Sequence, residues 1–235
     1  MKKINTALIL CAGLGERLRP LTLNIPKPLL KVKNLTLLEN TLNFVNKLKI
    51  ENVYLNSFYL SETLLKFVSN LDYKNIKIDV INDGKKILNT GGGILNMIKE
   101  SQSDNFLTLN PDTIWSEKNI EEILNMENFY LKKKVSNILL VTNKKNSFDK
   151  DLKGDFTFQD NILYKKSDNQ FLYTGCQILN KKIFIEIRDK VFPMSKIWNI
   201  LLKRRNLYGF ESNQIFNHIS NLSIYKKFLE NDKIF

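Results

Sequence analysis

The residues best placed to do chemistry stand where apolar runs give way to glycine and proline. The run from Ile4 to Ala12 empties into Gly13-Leu14-Gly15-Glu16-Arg17, and Asn24-Ile25-Pro26-Lys27-Pro28 follows. A strand feeding a glycine loop exposes backbone N–H groups that can hold phosphate oxygens. Gly13 and Gly15 allow close approach to that backbone. Arg17 adds a planar fork for phosphate, and Lys27 adds a point charge between two prolines that stiffen its backbone. The spacing matches neither a Walker A loop nor a G-x-G-x-x-G fingerprint, so the glycines alone indicate only anion binding.

Composition removes several other chemistries. A single histidine among the 235 residues cannot build a His-rich metal site, and any Ser-His-Asp arrangement would have to use His218. Cys11 and Cys176 are too far apart in sequence for a CxxC pair, so neither a zinc knuckle nor a disulfide framework is expected, and a cytoplasmic location fits best. The formal charge is +12, but only five of the 36 basic residues are Arg, and 31 Lys accompany 30 Asn. Scattered lysine of this kind points to general surface composition, not to a specific nucleic-acid partner. Met1-Lys2-Lys3 and the apolar run behind it imitate a leader, but the run leads into the glycine loop and reads as a buried strand. No stretch approaches the roughly 18 apolar residues of a membrane span, so no membrane partner is expected.

The elements that must position these residues alternate. Strands are expected at Asn5 to Cys11, Asn52 to Asn56, Ile76 to Ile81 and Phe106 to Leu109. Helices are expected at Leu35 to Leu48, from a Ser61-Glu62 cap to Val68, and from Ile94 to Lys99 behind Thr90 and three glycines. This pattern predicts an α/β fold with a doubly wound, mostly parallel sheet. The segments Gly13 to Lys27, Asp83 to Gly93 and Asn110 to Thr113 then leave the same sheet edge and should converge on one site. A helix from Glu117 to Tyr130 and a strand from Ser136 to Thr142 follow. Short β pieces come next at Phe156 to Phe158 and Ile162 to Tyr164, then a strand at Phe171 to Leu179. Helices are expected at Lys181 to Arg188, Ser195 to Arg204 and Ser220 to Leu229, with short strands at Leu207 to Phe210 and Gln214 to Phe216. The whole chain, 1–235, reads as one domain, with a regularly alternating half at 1–115 and a β-rich half with a closing helix at 116–235.

The longer strings carry a more specific signal. Ala12-Gly13-Leu14-Gly15-Glu16-Arg17-Leu18-Arg19-Pro20-Leu21-Thr22 through Pro26-Lys27-Pro28-Leu29 resembles the AGxGxRLxPLTxxxPKPL signature of the sugar-1-phosphate nucleotidyltransferases. Leu88-Asn89-Thr90-Gly91-Gly92-Gly93-Ile94 is similar to that family's LETGGGI loop. Asn110-Pro111-Asp112 is similar to its NGD, with proline in place of glycine. Tyr173-Thr174-Gly175 and Gly154-Asp155-Phe156 match later motifs. The family's closing W-x-D string is altered: Phe216-Asn217-His218-Ile219-Ser220 stands there, so either His218 or Asn217 takes the place of its aspartate.

The resemblance implies a Rossmann-like, GT-A-like fold whose second half binds sugar. It implies a Mg²⁺-dependent reaction between a nucleoside triphosphate and a sugar 1-phosphate, giving a nucleotide sugar and pyrophosphate. Catalytic roles fall to Arg17, Lys27 and Asp112. Nucleotide contacts fall to Ala12, Gly13, Leu14, Gly15, Glu16, Arg17, Lys27, Asn82, Thr90, Gly91 and Gly92. Sugar contacts fall to Asn110, Asp112, Gly154 and Gly175, and metal binding to Asp112 and His218. Short length and the TGGG loop favour the N-acetylmuramate-1-phosphate uridylyltransferase group, which serves peptidoglycan recycling, as a monomer or homodimer. Mannose-1-phosphate guanylyltransferase and glucose-1-phosphate thymidylyl- or uridylyltransferase are the alternatives within the family. A non-catalytic nucleotide sensor on the same fold is the alternative of another class.

Overall fold

A computed structural model describes residues 3–230; Met1 and Lys2, which raised the question of a leader, lie outside the described residues. In chain order, β1 (Thr6–Leu10) leads through the glycine loop and a tight pair, β2 (Lys31–Val32) and β3 (Leu35–Thr36), into α1 (Leu37–Lys47). Then come β4 (Asn52–Ser57), α2 (Ser61–Val68), β5 (Lys77–Asn82), α3 (Asn89–Lys99) and β6 (Asn105–Leu109). The second half runs α4 (Lys118–Lys133), β7 (Asn137–Asn143), a hairpin of β8 (Thr157–Gln159) and β9 (Ile162–Tyr164), and the long β10 (Phe171–Asn180). It ends with α5 (Met194–Lys203), β11 (Gly209–Ser212) and α6 (Leu222–Glu230).

Among the described residues, seven strands form one sheet in the order β11-β7-β10-β6-β1-β4-β5. β1 is parallel to both β4 and β6, β4 to β5, and β11 to β7, while β10 runs antiparallel between β6 and β7. The sheet is therefore mostly parallel. β1 shows why its sequence is an unbroken apolar run. Ala7 and Ile9 pack with α1, α2 and α4, whereas Leu8 packs on the opposite face with α3 and α5. Successive side chains of a strand point to opposite faces, so covering both faces demands apolar residues at every position. A third cluster joins Ile224, Tyr225 and Phe228 of α6 to Leu18 and Leu30, which flank the glycine loop, and to Ile114 and Ile219. α6 is thus packed against the glycine-loop region.

Several local expectations are corrected. α3 begins at Asn89, so the three glycines lie within its first turns instead of preceding it. Gly91 and Gly92 both donate their N–H groups to the carbonyl of Phe192 at 3.0 Å, and only a residue without a Cβ lets that segment come so close. The expected Ser61-Glu62 cap is absent: α2 is entered through Leu60 in the left-handed conformation, and the Ser61 hydroxyl donates to that of Ser57. Leu35 pairs in β3, and α1 starts later, at a capping box between Thr36 and Glu39. Lys181 to Arg188 is no helix beyond a short turn, Lys181–Phe184, because no core receives the face carrying Ile185, which is 77% exposed. Gln214 to Phe216 contributes only an isolated bridge from Phe216 to Ser147, and the strand expected at Leu207 to Phe210 runs Gly209–Ser212. No helix among the described residues is long and apolar enough to cross a membrane.

The glycines of α3 give the first prediction. A Cβ on Gly92 would strike the Lys190 carbonyl, whereas one on Gly13 meets no atom within 4 Å. Gly92→Ala should therefore cost about 1–3 kcal/mol in urea titration despite alanine's better helix propensity. Gly13→Ala should stay within about 0.5 kcal/mol of the wild type.

Candidate functional site

A cavity of about 610 Å³ opens beyond the carboxyl ends of β1, β4, β5 and β6. Its walls come from the segment Cys11–Leu18, from Lys27 and Pro28, from Asn56 and Asp83, from Ile87, Asn89 and Thr90, from Asn110–Asp112, and from Ser220. Ligands of open α/β sheets bind at this edge, because the loops that leave parallel strands meet there.

The glycine loop is held by its own neighbours. Gly15 takes φ 65°, the left-handed region, and its carbonyl accepts the Thr22 hydroxyl at 2.8 Å and the Leu18 N–H at 2.9 Å. A side chain at position 15 would press on Thr22. Beyond it, Glu16 and Arg17 are exposed, with Glu16 paired to Arg19 at 3.7 Å.

Lys27 opens a short turn, Lys27–Leu29, and its ammonium donates to Asp112 Oδ2 at 2.5 Å. Asp112 follows β6 in a turn clamped from two sides. Asn110 N–H donates to the Gly175 carbonyl at 2.9 Å. Ile219 N–H donates to the Asp112 carbonyl and Ile114 N–H to that of Asn217, each at 2.8 Å. This pairing brings His218 Nε2 to 3.3 Å from Asp112 Oδ2. The His218 ring stacks on Phe216, centroids 5.5 Å apart and planes within 5°. Side chains alternate along an extended segment, so Asn217, between those two, faces the other way. Burial pushes the Asp112 carboxyl pKa up, but the charge on Lys27 and the contact with His218 outweigh it and hold the group well below the usual carboxylate range.

Asp112 Oδ1, His218 Nδ1 and Asn217 Oδ1 are buried atoms without a hydrogen-bond partner. Among the described residues no group of three or more His, Cys, Asp or Glu side chains gathers to hold a metal ion. An all-protein cage is therefore absent, but the unpartnered Asp112 Oδ1 fits a Mg²⁺ ion that takes one carboxylate and completes its shell with phosphate and water.

Of the residues anticipated from sequence, Ala12, Gly13, Leu14, Gly15, Glu16, Arg17, Lys27, Thr90, Asn110 and Asp112 share the cavity wall. Five do not, and His218 reaches the site only through Asp112. Asn82 turns its amide to Gly84 N–H and the Ser61 hydroxyl, and the wall position belongs to Asp83 instead. Gly91 and Gly92 face Phe192 and Lys190. Gly154 lies under the Asn169 carbonyl, where it lets Asp155 and Phe156 donate to the Phe171 carbonyl. Gly175, at φ 88°, shapes the site from behind by lying against Asn110.

Sequence reasoning missed Asn56 and Asp83. Asn56 Oδ1 accepts Cys11 N–H at 2.8 Å, and its amide donates to Asp83 Oδ2 at 3.0 Å, tying the start of the glycine loop to the opposite wall. The available signal was a pair of polar residues, Asn56-Ser57, closing an otherwise apolar strand.

The nucleotidyl transferase family model matches residues 6–148. The chain belongs to this family. The bifunctional protein GlmU of Methanococcus aeolicus is 31% identical over 227 residues, covering 91% of this chain and 51% of its own length. The chain thus spans about half the length of the GlmU relatives it matches along most of its own length. N-acetylmuramate alpha-1-phosphate uridylyltransferase of Caulobacter vibrioides is 23% identical, covering 91% of this chain and 90% of that one. HddC of Yersinia pseudotuberculosis, solved with GMP-PN, superposes with a TM-score of 0.77 at 21% identity over 97% and 99% of the two chains, a likeness of fold.

The Asp83 carboxyl supplies a pH-dependent prediction. Burial raises its pKa, and hydrogen bonds from Asn56 and Asn96 offset this only in part. A carboxyl raised in the folded state penalises folding at neutral pH, and the penalty disappears below its unfolded value of about 3.9. Asp83→Asn, which keeps an acceptor for Asn56, should therefore be more stable than wild type at pH 7. That advantage should shrink as pH falls towards about 4, and urea titrations across this range should show it; an advantage growing towards acid would contradict the burial effect.

Proposed function

We propose that the chain joins a nucleoside triphosphate to a sugar 1-phosphate with release of pyrophosphate. The observation that carries this reading is the meeting of Lys27 and Asp112 at the floor of the cavity that the glycine loop rims. A sugar phosphate oxygen attacks the α-phosphorus, the bond from that phosphorus to the bridging oxygen breaks, and pyrophosphate leaves with its electron pair. The attacking phosphate is already anionic, so no protein base is needed, and catalysis rests on positioning and charge.

The loop N–H groups from Gly13 to Glu16, with Arg17, hold the departing β- and γ-phosphates. Lys27 neutralises charge at the α-phosphate, and Asp112 with His218 holds the metal ion. A divalent ion, when bound, would supply charge neutralisation at the phosphate oxygens. Thr90 lies towards the base, and Asn110, backed by Gly175, towards the sugar.

For the substrates, we favour UTP and N-acetylmuramate 1-phosphate. The uridylyltransferase of Caulobacter vibrioides supports this, since the two proteins match along nearly their whole lengths. Guanylyl transfer is a second reading, favoured by Asp83: a carboxylate in the wall suits the paired N–H donors of guanine. A D-glycero-alpha-D-manno-heptose 1-phosphate guanylyltransferase of Aneurinibacillus thermoaerophilus is 31% identical over 109 residues.

Pyrophosphate release should be measured with four nucleoside triphosphates against a panel of sugar 1-phosphates. UTP-dependent release is expected, and release only with GTP would transfer the assignment to the guanylyl reading. Lys27→Ala and Asp112→Ala should each lower kcat at least about 10²-fold while the protein remains folded. Near-normal turnover in both would remove the proposed chemistry from this site.

A further inference from the structure

The pair formed by Asp112 and His218 carries a statement about which metal ion the site prefers. His218 Nε2 and Asp112 Oδ2 stand 3.3 Å apart. Adjacent ligands of an octahedral ion with bonds of about 2.1 Å are separated by roughly 3 Å, close to the spacing of these two atoms. The ring is oriented before any ion arrives. It stacks on Phe216, and Thr113 bridges to His218 across paired backbones. Its other nitrogen, Nδ1, is buried without a hydrogen-bond partner.

Imidazole nitrogen is a poor ligand for Mg²⁺, which prefers oxygen, but a good one for first-row transition metals. The absence of a third His, Cys, Asp or Glu among the described residues leaves the remaining positions to phosphate and water. That shell suits an octahedral ion such as Mn²⁺ or Co²⁺ better than a tetrahedral zinc site. Lys27 holds the same Oδ2, so an ion must compete with an ammonium group for it, and a triphosphate gives Lys27 another anion to pair with.

We propose that His218 is a nitrogen ligand that tunes this site towards Mn²⁺ or Co²⁺ and away from Mg²⁺. The inference rests on the nucleotidyl-transfer reading for its substrate but not for its main test. His218 is the sole histidine in the sequence, so ¹⁵N-histidine labelling of protein made without a polyhistidine tag reports on this ring alone. Pulsed electron paramagnetic resonance of the labelled protein with Mn²⁺ and a non-hydrolysable nucleoside triphosphate should show ¹⁵N coupling to the metal. That coupling should be lost in His218→Gln and His218→Asp. Turnover with Mn²⁺ relative to Mg²⁺ should fall at least tenfold in His218→Asp, which restores an all-oxygen set.

Bound Mn²⁺ without ¹⁵N coupling in the wild type would overturn the inference, even if pyrophosphate release proceeds. Coupling without release from any nucleotide and sugar phosphate pair would instead overturn the reaction and leave the metal assignment standing. Because the coupling is read on wild-type protein, a variant that fails to fold does not remove the test.

Discussion

The molecule is organised around one carboxylate that has little access to water. Asp112 sits at the end of a central strand, where an isolated charge would be costly to bury. Lys27 from the N-terminal loop and His218 from the closing segment meet the same oxygen of its side chain. Backbone bonds from Ile219 to Asp112 and from Ile114 to Asn217 fasten the closing segment to the turn. Three regions distant in sequence are thereby tied at one point, and α6 packs over the junction with Leu18 and Leu30. The same arrangement that makes the acid tolerable places a cation and an anion at the floor of the cavity, with an imidazole against the anion.

The glycines divide between contact with ligand space and contact with protein. Gly13 is open, and Gly15 needs a left-handed backbone to keep the loop folded on Thr22. Gly91 and Gly92 instead admit the 190–192 segment to the first turn of α3, which also lets Met194 N–H donate to the Thr90 hydroxyl at 2.8 Å. A glycine-rich motif beside a nucleotide site thus acts partly by packing. It sets where Thr90 stands in the wall without its own glycines facing the cavity.

Antiparallel β10 solves a related problem for the second half. Cys176 pairs with Leu109, so the residues before it run past the end of β6, and Gly175 arrives beside Asn110. A parallel strand in that position would have sent the following loop, not Gly175, to this edge. Glu122 on α4 anchors the return path: its carboxylate accepts the Ser212 hydroxyl at 2.6 Å and Asn213 N–H at 3.0 Å shortly before the chain reaches His218.

The sequence by itself determined the alternating α/β order, the apolar central strands and the loop carrying Gly13, Gly15, Arg17 and Lys27, because these depend on local periodicity, backbone freedom and residue type. It also placed Asp112 at a strand end. Only the tertiary structure decided that Asp83 and not Asn82 faces the cavity, since a single-residue change of side reverses what a strand end presents. Only the tertiary structure moved the start of α3 ahead of its glycines, because the Phe192 carbonyl that holds them lies about a hundred residues away. That His218 and not Asn217 meets Asp112 belongs there too. Two adjacent polar residues look alike in a sequence, but on an extended segment they point in opposite directions, and pairing with the Asp112 turn selects the one that meets the acid.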